Sequence, residues 1–242
     1  MNYHLCQVLI NFHTHAPVAM PDVLALESIY AGQPRPPLSP WQSVGLHPWY
    51  LPQPWISACD WLENEAALSH TLAIGEAGLD KVCDTPWETQ IEAFRYCIGL
   101  AERFDKPLII HCVRAHAEVL QLKKELKPRQ PWIFHGFDKN QATAEMLLRA
   151  GAYLSFGSAL FREGNRAAEV LSLVPGDRFF LETDISEWKI QEVYERAAKL
   201  RNRTLTELEQ QIETNFCDIF GVSSEDVLNK STIVNHHRPA KP

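Results

Sequence analysis

Residues 71–80 read TLAIGEAGLD, an apolar run (Leu72, Ala73, Ile74) that ends on a carboxylate, Glu76, followed at once by a glycine-containing turn. In a parallel α/β sheet a strand buried on both faces reads as a short continuous apolar run, and reactive side chains sit where such strands end at their carboxyl side. The pattern recurs along the chain. QVLINFHTH (7–15) ends on His13 and His15, QSVGLHP (42–48) on His47, PLIIHCVRA (107–115) on His111, PWIFHGF (131–137) on His135, and RFFLETD (178–184) on Glu182 and Asp184. One buried acid after a strand is commonly a satisfied structural group, whereas repetition at matching strand ends points to one shared site.

Working outward, strands are expected at 8–12, 23–30, 43–46, from Leu72, and at 108–112, 132–134, 153–156 and 179–181. The stretch 23–30, VLALESIY, is too short for periodicity to decide and is taken as a strand. Residues 17–21 form a loop, and residues 32–40, with four of the sixteen prolines, a stiff connection without helix potential. Helical spacing covers 54–68, 86–103, 115–126, 142–149 (closed by Gly151) and 167–174. In 86–103, Thr85 is the expected N-cap, Pro86 the first helical residue, and Trp87, Ile91, Phe94, Ile98 and Ala101 share a face. Residues 190–220 read as two charged helices broken near 202–204. Eight strands alternating with helices after the third predict an α/β fold, a (β/α)8 TIM-type barrel with shortened connections around the second strand. It is read as a single barrel domain over 1–242, with a partly disordered tail at about 231–242 in which His236 and His237 are solvated.

A chain of 242 residues with 45% hydrophobic and 22% charged residues suits one soluble barrel, and no apolar stretch nears the roughly 20 residues of a spanning helix. The N-terminus has no basic segment or small-residue cleavage site and is not read as a signal peptide. Six cysteines without a CxxC pair argue against a zinc ribbon or disulfide scaffold and for a reducing cytoplasm. Cys112, after His111, is expected on the opposite strand face, as packing. A net charge of −7 counts against a broad duplex-binding surface.

His13 and His15, one residue apart on a strand, project their rings to one face while Thr14 points away, a spacing that suits two ligands of one ion. Neutral imidazole ligates transition metals, and a carboxylate such as Glu76 can bridge two ions, with His111, His135 and Asp184 completing the two shells. Such a two-metal site activates water and stabilises both oxygens of a displacement.

The ordered set HTH, GLHP, GEAGLD, PLIIHCVRA, IFHGF and LETD resembles the TatD-related hydrolases, metal-dependent enzymes of the amidohydrolase-like barrel superfamily, several with DNase activity. The resemblance implies His13 and His15 as the first metal pair, Glu76 as the bridging acid, His111 and His135 as the second ion's histidines, and Asp184 as the acid that orients or deprotonates water. Glu76 and Asp184 are thus the catalytic pair, with His47 and Arg114 as phosphate-side contacts. Three departures stand out. Asn11 occupies the place of the usual first Asp of DxHxH, Ile185, Ser186 and Glu187 replace the common Ala-Pro after the aspartate, and the connection from His15 to Gly45 is short.

The expected cofactors are two divalent metal ions, Mg, Mn or Zn. Two such ions, less Glu76, Asp184 and a bridging hydroxide, leave about one positive charge, matching a phosphodiester. The expected activity is deoxyribonuclease- or exonuclease-like cleavage of phosphodiester bonds by two-metal activation of water. The substrate is anionic: a single-stranded DNA end, an oligonucleotide or a small phosphoester. Neither a membrane nor an obligate protein partner is expected. The alternatives are an amidohydrolase-like hydrolase of a small cyclic amide, lactone or ester, and, from another class, a non-catalytic metal-binding protein.

Overall fold

The structure is a computed structural model that describes residues 8–16, 20, 22–32, 35–164 and 166–236; most of the loop expected at 17–21, together with Cys6 and His237, lies outside them. Eight strands form one parallel sheet in sequential order: β1 (Leu9–Thr14), β2 (Val23–Tyr30), β3 (Trp41–Gly45), β4 (Thr71–Asp80), β5 (Leu108–Val113), β6 (Trp132–Phe134), β7 (Tyr153–Phe156) and β8 (Phe179–Leu181). At the carboxyl end the β1–β8 seam is bridged between Thr14 and Asp184, and the Asp184 amide donates to the His13 carbonyl at 2.9 Å. The expected barrel is therefore present.

After β3 helices alternate with strands: α1 (Cys59–Ala66), α2 (Trp87–Arg103), α3 (His116–Leu126), α4 (Gln141–Arg149), α5 (Ala167–Leu173), α6 (Ile190–Arg201) and α7 (Leu205–Phe220). The α6–α7 break falls where expected. Asn202 takes the left-handed conformation (φ 50°), and Thr204 opens α7 with a capping box completed by Glu207. The barrel wall and the helices share an aromatic layer: Phe12 stacks on Phe180 (centroids 4.5 Å apart) and meets Phe220 of α7, while Trp41 stacks on Phe216.

The connections beside β2 carry no helix among the described residues. They are held by a buried acid instead. Glu27 on β2 accepts from the Leu38 and Ser39 amides at 2.6 and 2.8 Å and pairs with Arg35, whose guanidinium also donates to the His15 carbonyl at 2.8 Å. The proline-rich connection is thereby tied to the end of β1.

Three details differ from the sequence reading. β4 does not turn after Glu76 but runs on to Asp80 through a bulge: Ile74 pairs with Leu108 and Ala77 with Ile110, three residues against two. Thr85 is not the cap of α2. Pro86 takes that position, and the Thr85 hydroxyl donates to the Pro48 carbonyl at 2.6 Å. An eighth helix, α8 (Ser224–His236), runs through the first residues of the segment read as a partly disordered tail.

Candidate metal centre

The bulge explains why glycines flank Glu76. A Cβ on Gly75 (φ 134°) would lie 2.4 Å from the Ile109 carbonyl oxygen, and one on Gly78 (φ 158°) 1.9 Å from that of His111, so only glycine lets β4 run this close to β5. The Glu76 carboxylate stands at the centre of the mouth, 1% exposed.

Its two oxygens face two sets of side chains. Oε2 lies 3.3 Å from His13 Nε2 and 3.0 Å from His15 Nε2, and both nitrogens also approach Asp184 Oδ1, at 3.8 and 3.6 Å. Oε1 lies 2.6 Å from His135 Nε2, 2.7 Å from His111 Nδ1 and 3.0 Å from His47 Nε2. Three groups could each hold an ion: His13, His15 and Asp184; His13, Glu76 and His135; His47, Glu76 and His111. All six residues expected as metal ligands are thus brought together, and Cys112 joins none of these groups.

His47 stands closer in than a contact to substrate alone requires, yet its hydrogen bonds decide its tautomer. Its Nδ1 accepts the Trp49 amide at 3.0 Å, which leaves the proton of the neutral ring on Nε2, a donor toward Glu76 and the cavity rather than a metal ligand. Arg114 takes no part in the cluster. It is exposed past the end of β5 (φ 54°) and enters no ion pair among the described residues.

Two carboxylates escaped the sequence assignment. Asp80 accepts from His111 Nε2 at 2.7 Å and from the Trp49 indole at 2.6 Å. Glu182 lies 3.6 Å from His135 Nδ1 and accepts the Gly136 amide at 2.7 Å. Asp80 fixes the His111 ring whose other nitrogen faces Glu76, the arrangement by which outer carboxylates orient metal-ligating histidines, and Glu182 stands behind His135 beyond hydrogen-bond distance. For Asp80 the signal was parity, since residues 76, 78 and 80 share a strand face; Glu182 had been noted only as a strand end. Adding these two charges removes the positive remainder counted over Glu76 and Asp184 alone, so positive charge to meet a phosphodiester has to come from the rim.

Electrostatics favour ionised carboxylates. Burial pushes Glu76 upward, but the neighbouring His135 and His47 rings, with the hydrogen bond from His111, hold it well below the usual carboxylate range. Burial opposes charge on Asp80 too, and the His111, Trp49 and Val82 hydrogen bonds bring it down to about 2. Burial lowers His111 and His135, but their carboxylate partners outweigh it and raise both. For His47 burial prevails and its pKa falls, despite the opposing pull of Glu76.

The donor set fits a divalent cation, and one observation bears on it directly: His13 is fully buried, yet neither ring nitrogen has a hydrogen-bond partner among the described residues. A buried imidazole left this way bears the desolvation cost of both nitrogens, and a cation at Nε2 would relieve the share of that atom. Asn11, in the place of the family's usual Asp, joins none of the three groups that could hold an ion. Its amide donates to the Thr183 hydroxyl at 2.8 Å and accepts the Thr183 amide at 3.0 Å, stapling β1 to the end of β8.

A parallel eight-stranded barrel with histidines and carboxylates gathered round one acid at its carboxyl mouth defines the class, a metal-dependent hydrolase of TIM-barrel fold. The residue pattern of the family described as TatD related DNase matches residues 35–221, and the chain belongs to this family. Escherichia coli YcfH, described as an uncharacterized metal-dependent hydrolase, is 30% identical over 200 residues, 75% of this chain and 74% of YcfH. Bacillus subtilis YabD, described in the same words, is 35% identical over 127 residues, about half of each chain. A protein of Erwinia tasmaniensis named 3′-5′ ssDNA/RNA exonuclease TatD is 27% identical, covering 81% of this chain and 78% of its own. The crystal structure of the TatD homologue YJJV from Escherichia coli shares the fold with a TM-score of 0.76 at 21% identity, over 90% of this chain and 99% of that one. No helix among the described residues is long and apolar enough to cross a membrane.

Proposed function

We propose that the protein hydrolyses phosphodiester bonds at the ends of single-stranded nucleic acid, using two divalent cations bridged by Glu76. The observation that carries this reading is the division of the Glu76 carboxylate, with Oε2 toward His13, His15 and Asp184 and Oε1 toward His111 and His135. Two cations held there, Mg, Mn or Zn, would supply charge neutralisation at the phosphate oxygens and an acidified water.

The remaining work belongs to side chains. His13, His15, His111 and His135 would hold the cations; Asp80 keeps the His111 ring in the ligating tautomer. Asp184, partly exposed beside His13 and His15, ligates and takes the proton of the attacking water. The His47 Nε2 proton meets a phosphate oxygen, and Arg114 on the rim meets the next anionic group with a planar fork. Unpaired cysteines (five among the described residues) support a reducing cytoplasm as the place of action.

The test is a screen of metal-reconstituted protein on single-stranded DNA, RNA and small phosphoesters beside lactones and dihydropyrimidine-type amides. Turnover of the phosphodiesters is expected. Turnover confined to lactones or amides would replace this reading, and metal binding without turnover of any of them would leave a metal-binding protein.

A further inference from the structure

We infer that Trp49 and Tyr50 form a shelf on which a nucleobase of the substrate stacks, next to the phosphate held at His47; this rests on the phosphodiester reading above. The two rings are exposed by 52% and 46%, large fractions for aromatic side chains, and both line the cavity of 410 Å³ that contains His47, Glu76, Asp80 and His111. Neither is loose. Tyr50 stacks on Tyr30 with centroids 4.5 Å apart and planes 16° from parallel, and the Trp49 indole is fixed by its bond to Asp80. The short turn Pro48–Tyr50 that carries them is tied down in turn by the Thr85 hydroxyl on the Pro48 carbonyl.

Flat rings held rigidly by polar or aromatic partners, yet open to the cavity, suit a flat ligand, because no further side chain has to be ordered when it arrives. Sequence adjacency narrows the ligand. His47, whose Nε2 proton reaches toward Glu76, is followed two and three residues later by the two rings, and the His47 and Tyr50 ring centroids are 5.0 Å apart. A donor for phosphate oxygen and a stacking surface therefore belong to one turn, a separation that suits a phosphate and an attached base. A phosphoester without a base would leave the rings in water.

Charge leads the same way. The chain carries −7 overall, and beyond Arg114 the rim cation Lys81 pairs with Glu118, while Lys139 and Arg162 share the single charge of Asp138. Proteins that hold single strands combine a basic track with aromatic stacking. With the track this weak, stacking has to contribute more of the affinity, and it accepts every base because each has a π-face.

The test uses the full chain loaded with divalent cation and pairs of single-stranded oligonucleotides that differ only in whether the terminal residue, at either end, carries adenine or is an abasic tetrahydrofuran. The adenine end should be cut with kcat/KM about 5- to 150-fold above the abasic end, the range that stacking of one base provides. Tyr50→Ala should bring that ratio toward one, while Tyr50→Phe, which keeps the ring, should preserve it. Calorimetric titration should show the same order, deoxyadenosine monophosphate binding more tightly than deoxyribose 5-phosphate to the wild type and losing that advantage in Tyr50→Ala. Equal cutting of the two ends by the wild type, or a ratio unchanged in Tyr50→Ala, overturns the shelf while leaving the phosphodiester reading intact. Failure to cut either oligonucleotide, with metal bound, overturns that reading and the shelf with it.

Discussion

The strands of this barrel follow opposite rules in their bodies and at their carboxyl ends. In β5 the body residues Leu108, Ile109 and Ile110 are fully buried and apolar, and the next side chain, His111, lies between two carboxylates. In β8 the body ends at Leu181, and Glu182, Thr183 and Asp184 follow, two of them tied to histidines. The body gains stability by removing apolar area from water. The end does the reverse, keeping polar groups such as His13 buried without hydrogen-bond partners, a burden acceptable only where a cation or substrate completes them. Changes at the two places should therefore register in different measurements.

The largest effect belongs to the ends. Asp184→Asn keeps the size and one ligand oxygen but cannot take a proton, so turnover should fall by about 10² to 10⁴ while the thermal midpoint and most of the bound metal remain. Loss of metal outright in this variant would make Asp184 chiefly a ligand, and wild-type turnover would mean another base. In the bodies, Phe180→Ala removes the ring stacked on Phe12 and should cost about 3 to 5 kcal/mol in urea unfolding, with metal affinity of the surviving folded protein little changed. A parallel loss of metal affinity would erase the distinction between the two regions. One layer out from the ends, Asp80→Asn should weaken metal binding by about 10- to 100-fold, measured by competition with a chelator, because His111 loses the carboxylate that sets its tautomer. The smallest change is expected on the rim: Arg114→Lys should raise KM for a phosphodiester several-fold and leave the metal content as it was. Unchanged kinetics there would remove Arg114 from substrate binding.

Much of this contrast is legible in the sequence because both rules are local. A short apolar run marks a body, and the polar residue that stops it marks an end; β2, β6, β7 and β8 lie on their expected residues, and so does the α6–α7 break. What the sequence hides is non-local. The β4 bulge exists only in pairing with β5, so the glycines around Glu76 read as a turn when they are sites of close strand approach. Asp80 and Glu182 face histidines 31 and 47 positions away in sequence, so parity can place Asp80 on the face of Glu76 but cannot show which ring either acid meets. Thr85 has the chemistry of a cap but is drawn off by Pro48, and α8 was submerged in a polar, weakly periodic tail.

The central claim is that Glu76 joins two cation sites through its two oxygens. Metal stoichiometry of purified wild type and Glu76→Ala, measured by mass spectrometry after equilibration with excess zinc or manganese and removal of free ion, tests it most directly. Two ions per chain are expected in the wild type, and loss at both positions in the variant. Two ions retained by Glu76→Ala would contradict it.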